Sequence, residues 1–198
     1  DSSTLFLRGF SKYSLKDFVG SIEDYNKSLK INPNNKKALL NRGISKSELG
    51  DSIGSIDDYS NLIRLDENQI NAYFLRGLER NTIQKYKQAI KDFNVVIKNN
   101  PNDDAYFFRG LSRHMIQEYE AAIKDFNVII KNNPNNDVAL NARGLSKALL
   151  KNFESAIADF KKAILINPKN KLAIENKIFY EDQQIQEKGF LVTNKIIE

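Results

Sequence analysis

"AIKDFNVVIKNNPN" spans Ala89 to Asn102 and "AIKDFNVIIKNNPN" spans Ala122 to Asn135, the two differing only where Val96 gives way to Ile129. Near-identity over so long a stretch, 33 residues apart, points to internal duplication, and the period governs every other feature of the chain. Two columns reveal it. Arg-Gly recurs at Arg8-Gly9, Arg42-Gly43, Arg76-Gly77, Arg109-Gly110 and Arg143-Gly144, in steps of 34, 34, 33 and 34 residues, and takes five of the nine glycines. Every proline stands in a second column, at Pro33, Pro101, Pro134 and Pro168, with Glu67 on the remaining rung. The short step traces to "PNDDA" at Pro101, one residue shorter than "PNNKKA" at Pro33, which places the deletion in a turn.

Apolar residues recur at spacings of three and four, and no alternating Val/Ile/Thr-rich segment appears, so each unit is predicted to be two helices. In the fourth unit helix A is expected over about 104–116 and helix B over about 119–131. Glycine inside a helix costs about 1 kcal/mol relative to alanine, so its recurrence in helix A calls for a close approach by helix B. Small residues stand ready for that contact at Ser21, Ser55, Ala89, Ala122 and Ala156. One helical turn further come Tyr25, Tyr59, Phe93, Phe126 and Phe160, predicted to fill the space between successive hairpins. Proline then ends helix B, and the neighbouring Asn and Asp residues suit turns and N-caps.

Composition narrows the function classes. With 198 residues, 41% hydrophobic and 28% charged, the chain can bury a core and is not a disordered segment. Uninterrupted apolar runs reach only four or five residues, against the ~20 a membrane-spanning helix needs. The opening "DSSTLFLRGF" has no secretory leader pattern and no initial Met, so the sequence reads as a processed or excised piece, and its compartment stays open. Zero cysteines exclude disulfides and thiolate metal sites, and one histidine, His114, leaves no histidine cluster, so no cofactor or metal is expected. The net charge of +5 comes from 30 basic and 25 acidic residues interleaved along the chain, the pattern of a solvated helical surface.

The 34-residue helix-turn-helix, the glycine, the A-x-x-x-F stretch and the closing proline together resemble the tetratricopeptide repeat family over about residues 2–170. The resemblance implies an all-α fold: a right-handed α-solenoid of antiparallel helix pairs, with five repeats at about 2–35, 36–69, 70–102, 103–136 and 137–170. Residues 171–188, with Ile178 in the glycine column, are expected to form a C-terminal capping helix, followed by a tail over 189–198. Departures from the family pattern are systematic. Its tryptophan column holds Leu5, Leu39, Tyr73, Tyr106 and Leu140, its leucine before glycine is Arg, and its helix-A tyrosine is Lys12, Lys46, Arg80, Arg113 and Lys147. The second unit carries Ser52 where the others have an aromatic, and its junction is expected to be the loosest.

Three charged columns run through all five units: the two basic ones on helix A, and Asp24, Asp58, Asp92, Asp125 and Asp159 on helix B. They either tie the helices together or leave a basic strip for anions. An acid matching the bases in every unit favours the first. The resemblance further implies a concave face lined by helix A that takes an extended peptide. Residues two positions either side of the Arg column are expected there: Phe6, Leu40, Phe74, Phe107 and Asn141, then Phe10, Ile44, Leu78, Leu111 and Leu145, with Tyr13 and His114 further along. The alternative for the Leu and Ile column is packing between neighbouring A helices. Family members that clamp a chaperone's C-terminal carboxylate use Lys, Asn and Arg on these columns; only Lys37 and Asn41 qualify here, so an apolar or mixed peptide is expected.

No phosphate-binding loop, nucleophile elbow or distinct carboxylate pair is present, and Ser112, His114 and Asp104 lack any sign of an oxyanion hole, which argues against an enzyme. Apolar inner columns and acid-paired bases disfavour RNA as a ligand. The function expected is a protein-interaction scaffold binding a peptide or partner protein, with no small-molecule substrate. The alternatives are a self-associating solenoid, a helical RNA reader, or the interaction module of a larger parent protein. Leu5 and Phe10 have no preceding helix B, so the chain is expected to be a monomer or a weak homo-oligomer through its open N-terminal end.

Overall fold

The computed structural model describes the backbone of residues 1–197 and the side chains of residues 1–187. Among the described residues every regular element is an α-helix. The A helices are α1 (Ser2–Ser14), α3 (Lys36–Glu48), α5 (Ile70–Thr82), α7 (Asp103–Met115) and α9 (Asp137–Leu149). Their B partners are α2 (Phe18–Ile31), α4 (Ser52–Leu65), α6 (Tyr86–Asn99), α8 (Tyr119–Asn132) and α10 (Phe153–Ile166), and α11 (Lys171–Ile197) comes last. Two compact units result, Asp1–Pro101 with three hairpins, and Asn102 onward with two hairpins and α11. The division falls at the turn that carries the one-residue deletion.

α11 continues past residue 188, where the sequence suggested a separate tail over 189–198. The single glycine there, Gly189, costs a helix only about 1 kcal/mol and no proline follows. Side chains of that stretch, and Glu198, lie outside the described residues.

Each hairpin closes on one contact. A Cβ added to Gly9, Gly43, Gly77, Gly110 or Gly144 would stand 2.6–2.8 Å from Cε1 of Tyr25, Tyr59, Phe93, Phe126 or Phe160, nearer than real Cβ atoms come to any neighbour. The glycine therefore makes room chiefly for the aromatic ring of its own hairpin. The helix-B backbone lies just behind, with Ser21 O 3.2 Å from the added atom at Gly9 and Ala156 O 3.1 Å at Gly144. All five rings are buried. Beyond them the next hairpin closes over: Tyr25 and Leu29 pack with Ala38 and Leu39 of α3, and Ala122 and Ile129 with Ala139 of α9. Val96 and Ile129, the one difference between the two copied stretches, are both buried.

The turns follow from sequence as well. Asn35, Asn102, Asn136 and Asn170, after the proline column, accept hydrogen bonds from the backbone N–H groups of Ala38, Ala105, Ala139 and Ala173 and so start the A helices. Between A and B helices one residue takes left-handed backbone geometry: Lys16, Gly50, Gln84, Gln117 and Lys151. Only Gly50 is free of the Cβ penalty there. In the second repeat, Ser52 is buried and Ser47 hydrogen-bonds Glu79, where the first and fourth repeats have Tyr13 on Phe18 and His114 on Tyr119.

Gly110→Ala is expected to lower stability by up to about 2 kcal/mol, because overpacking against Phe126 costs about 1–3 kcal/mol while the gain in helix propensity is about 1 kcal/mol. In a Phe126→Leu background the same change should become neutral or stabilising. Urea denaturation of the four proteins checks this, and additive effects would mean that the ring and the glycine do not meet.

Candidate functional site

The charged columns lie closest to the hairpin contact. In each repeat the buried Asp of helix B faces a guanidinium held in a two-point grip: Arg8 donates from Nε and Nη2 to Asp24 at 2.8 and 2.6 Å, and Arg143 to Asp159 at the same distances. Arg42 with Asp58, Arg76 with Asp92 and Arg109 with Asp125 repeat the pattern. The basic residue one turn later adds a second cation on the same carboxylate, as with Lys12 at 3.0 Å from Asp24, Arg80 at 2.6 Å from Asp92 and Lys147 at 2.7 Å from Asp159. Arg76 and Arg109 also stack over Tyr73 and Tyr106, which links the altered tryptophan column to the altered leucine column.

The remaining guanidinium nitrogen reaches back to the preceding helix B. Arg42 Nη1 donates to Asn26, Arg76 Nη1 to Ser60, and Arg143 Nη1 to Asn127. These cations are therefore committed to folding, and no anion-binding strip is left in these columns. In α11 the device is closed off: Glu181 stands one turn after Lys177 and pairs with it at 2.7 Å and with Lys161 at 3.3 Å, so no helix-B aspartate is needed.

The inner columns of helix A are mostly half-buried. Phe6 lies with its ring 5.9 Å from Tyr25, Phe74 5.9 Å from Phe93, and Phe107 6.1 Å from Phe126, each roofing the buried aromatic of its hairpin. Leu40, Ile44 and Leu111 pack against the core clusters, and Leu78 and Leu145 are half-buried. Tyr13 rests on Phe18, and Asn141 accepts from Asn176 at 3.0 Å. His114 shares a hydrogen bond with Ser146 through Nδ1 at 2.9 Å, and burial pushes its pKa below the usual value. Ser112 donates to the Phe108 carbonyl. Of the residues read from sequence, Phe10 is the most open.

The open apolar side chains stand one column further out. In the second unit these are Met115, Val138, Leu149 and Leu172, all on A-type helices, while Phe179 is open in the column of Phe10. The equivalent positions in the first unit are mainly polar, with Ser3, Ser14, Lys37, Glu48, Asn71 and Thr82. Val138 and Phe107 share a recess of about 210 Å³ with Asp103, Asp104, Ile129 and Asn136. That is smaller than the roughly 300–1,000 Å³ of small-molecule sites and suits one side chain of a larger ligand. Sequence inspection missed Val138 and Leu172 because they stand two residues after the Asn caps, in the first helical turn, where an apolar residue reads as helix start. Among the described residues no group of His, Asp and Glu is arranged to hold a metal ion, and no helix is long and apolar enough to cross a membrane.

Residues 138–170 match the tetratricopeptide repeat family model. Among solved structures the fold is similar to a MamA protein at 28% identity, with a TM-score of 0.81, covering 85% of this chain and 92% of that one. Residues 138–170 thus carry a tetratricopeptide repeat, and the fold around them is similar to that of tetratricopeptide repeat structures. A second structural relative is YrrB, described as a TPR protein with an unusual peptide-binding site, at 18% identity and a TM-score of 0.83, covering 89% of this chain and 92% of YrrB. MamA from Desulfovibrio magneticus RS-1 is similar at 17% identity and a TM-score of 0.80, over 86% of this chain and 98% of that one. No curated protein matches by sequence. The tetratricopeptide build, with helix pairs presenting a face of A helices, is that of a protein-interaction scaffold.

The ladder sets the acid response of the tetratricopeptide stack. Hydrogen bonding from Arg8, with a further contribution from Lys12, holds Asp24 down at about 2, against an ordinary value near 4. A carboxylate with a depressed folded-state pKa contributes stability above its unfolded value and loses it as pH falls through the folded one. Stability is therefore expected to drop between about pH 4 and pH 2 in the wild type, followed by helical CD. Asp125→Ala leaves Arg109 and Arg113 without their carboxylate and is expected to cost about 3–5 kcal/mol at pH 7.

Proposed function

We propose that this chain is a non-enzymatic adaptor that holds an extended peptide or partner segment along its A-helix face by apolar and aromatic contacts. The observation that carries the reading is the set of open apolar side chains on the A helices of the second unit. Val138 and Leu172 hold the same position on α9 and α11 and are 52% and 64% exposed, and Met115, Leu149 and Phe179 are exposed on the same helix set. Exposed apolar side chains gathered on one set of helices are candidate interaction sites.

The half-buried column contributes a floor. In the second unit this floor is Phe107, Leu111 and Leu145; Phe6, Leu40, Ile44, Phe74 and Leu78 hold the corresponding columns of the first unit. Phe10, Tyr13, His114 and Asn141 complete the proposed contact set. Side chains of the ligand would enter recesses such as the one beside Phe107. Carboxylates at Asp104, Glu175 and Asp182 border the apolar residues, so a ligand with apolar anchors and neutral or basic neighbours fits better than an acidic tail. A few anchors, each contributing about 1.5–3 kcal/mol, only modestly exceed the cost of association, which suits a reversible complex.

Phe74 and Phe107 are poor places to test this, because truncating them also uncovers Phe93 and Phe126. Val138→Lys and Leu172→Lys alter open positions instead. Peptides selected by display against the wild-type chain should carry two apolar anchors a few residues apart. The double variant should bind them at least tenfold more weakly, with unchanged helical CD. Equal affinity in the folded double variant would move the site off this face.

A further inference from the structure

The arginine column is completed differently in the second repeat. Arg76 and Arg109 each lie over a tyrosine ring, Tyr73 and Tyr106, with Cζ 5.3 Å from the ring centroid. In the column of those rings the second repeat has Leu39, a much shorter side chain, and among the described residues no aromatic ring lies against Arg42. The edge of Arg42 is fully engaged, with Nε and Nη2 on Asp58 and Nη1 on Asn26. What it has left to offer is its planar face. A recess of about 240 Å³ opens beside Leu39 and Arg42, with Leu29 and Leu65 as apolar walls and Asn34, Asn61 and Arg64 as polar ones.

Arg64 supplies a second, different contact. It is exposed, its one hydrogen bond goes to Asn61 Oδ1 at 3.3 Å, and no carboxylate pairs with it among the described residues. The nearest carboxylate in sequence, Asp66, is held by Lys36 and Gln69. The last turn of a helix favours a cation, which accounts for the charge in this column, where Lys30, Lys98 and Lys131 also stand. In the second repeat, however, that cation borders a recess beside an uncovered guanidinium face. The fifth repeat also has a leucine, Leu140, in the tyrosine column, but Leu165 stands there in the place of Arg64.

We propose that this recess receives a tyrosine side chain of a partner protein, its ring on the face of Arg42 in the manner of Tyr73 and Tyr106, and its phenol oxygen accepting from Arg64. A guanidinium whose edge is already hydrogen-bonded still attracts an aromatic face. Leu29 and Leu65 give the ring apolar walls, while Arg64 is a donor that phenylalanine or leucine would leave unused. The volume suits one side chain of a larger ligand, since sites for free small molecules hold roughly 300–1,000 Å³. The recess is bordered by α2 and α4 and shares no residue with the A-helix contact set, so it is a second docking point that does not depend on that reading.

The probe is N-acetyltyrosinamide, titrated into the isotopically labelled 198-residue chain. Saturable amide shifts are expected at Asn34, Leu39, Asn61 and Arg64 and not on the A-helix face of the second unit. N-acetylphenylalaninamide should bind about fivefold more weakly, the loss of one hydrogen bond to a charged donor, and Arg64→Ala should remove that difference. Leu39→Tyr supplies the ring from the chain itself, as in the third and fourth repeats, and should abolish binding with unchanged helical CD. A capped Gly-Ser-Tyr-Ser-Gly peptide should bind at least as tightly as N-acetyltyrosinamide; a weaker peptide would make the occupant a free small molecule and overturns the proposal. So do the absence of saturable shifts at these residues, equal binding of N-acetylleucinamide, or undiminished binding by the Leu39→Tyr variant. A sedimenting dimer of the chain alone that Leu39→Tyr disperses also overturns it, because the occupant would then be a second copy.

Discussion

An aromatic ring seated on a bare α-carbon is the constraint from which the rest of this molecule follows. Because Gly9 and its four equivalents carry no side chain, Tyr25 and its equivalents can bring their Cε1 edge against helix A, and the two helices of a hairpin come close enough to bury them. The small residue one turn earlier on helix B serves the same approach. The A-helix phenylalanines at Phe6, Phe74 and Phe107 then roof the ring from the other side. A single hairpin cannot bury all of this surface, which is why the pattern is copied and each copy covers the last.

The second organising feature is electrostatic. Placing an aspartate in the seam would be costly if its charge were unmatched, and each one here meets two cations in good geometry. The result is specificity of register as much as stability: an arginine that bridges its own hairpin and the preceding helix B fixes how far apart those elements sit. Much of the chain's basic charge is consumed in this way. The mildly positive composition therefore does not translate into a basic strip along these columns, which leaves the apolar positions of the A helices as the proposed contact surface.

Much of this was legible in the sequence. The glycine and proline columns set the period, the Asp column paired with two basic columns announced the ladder, and Asn after Pro marked each helix start. The glycine's partner was only half visible, since spacing pointed to the small residues of helix B while the ring beside them proved to be the nearer contact. The binding face was harder. A helical wheel centred on Arg8 places Phe6 and Phe10 outward alike, but how far each is covered depends on the ring beneath and on the neighbouring A helix, neither of which local spacing encodes. Phe6 is half-buried for that reason, while Val138 and Leu172 are exposed. His114 showed no sign in the sequence of its contact with Ser146, 32 residues away.

α11 differs from the other A-type helices in what it can seat. Ile178 occupies the place where every other A helix keeps a glycine, so no phenyl group from an added hairpin could settle there, and Glu181 already satisfies the lysine that such a hairpin would have to neutralise. A hairpin seated on α11 in the manner of the others would have to displace both, so changing Ile178 alone does not open the seat.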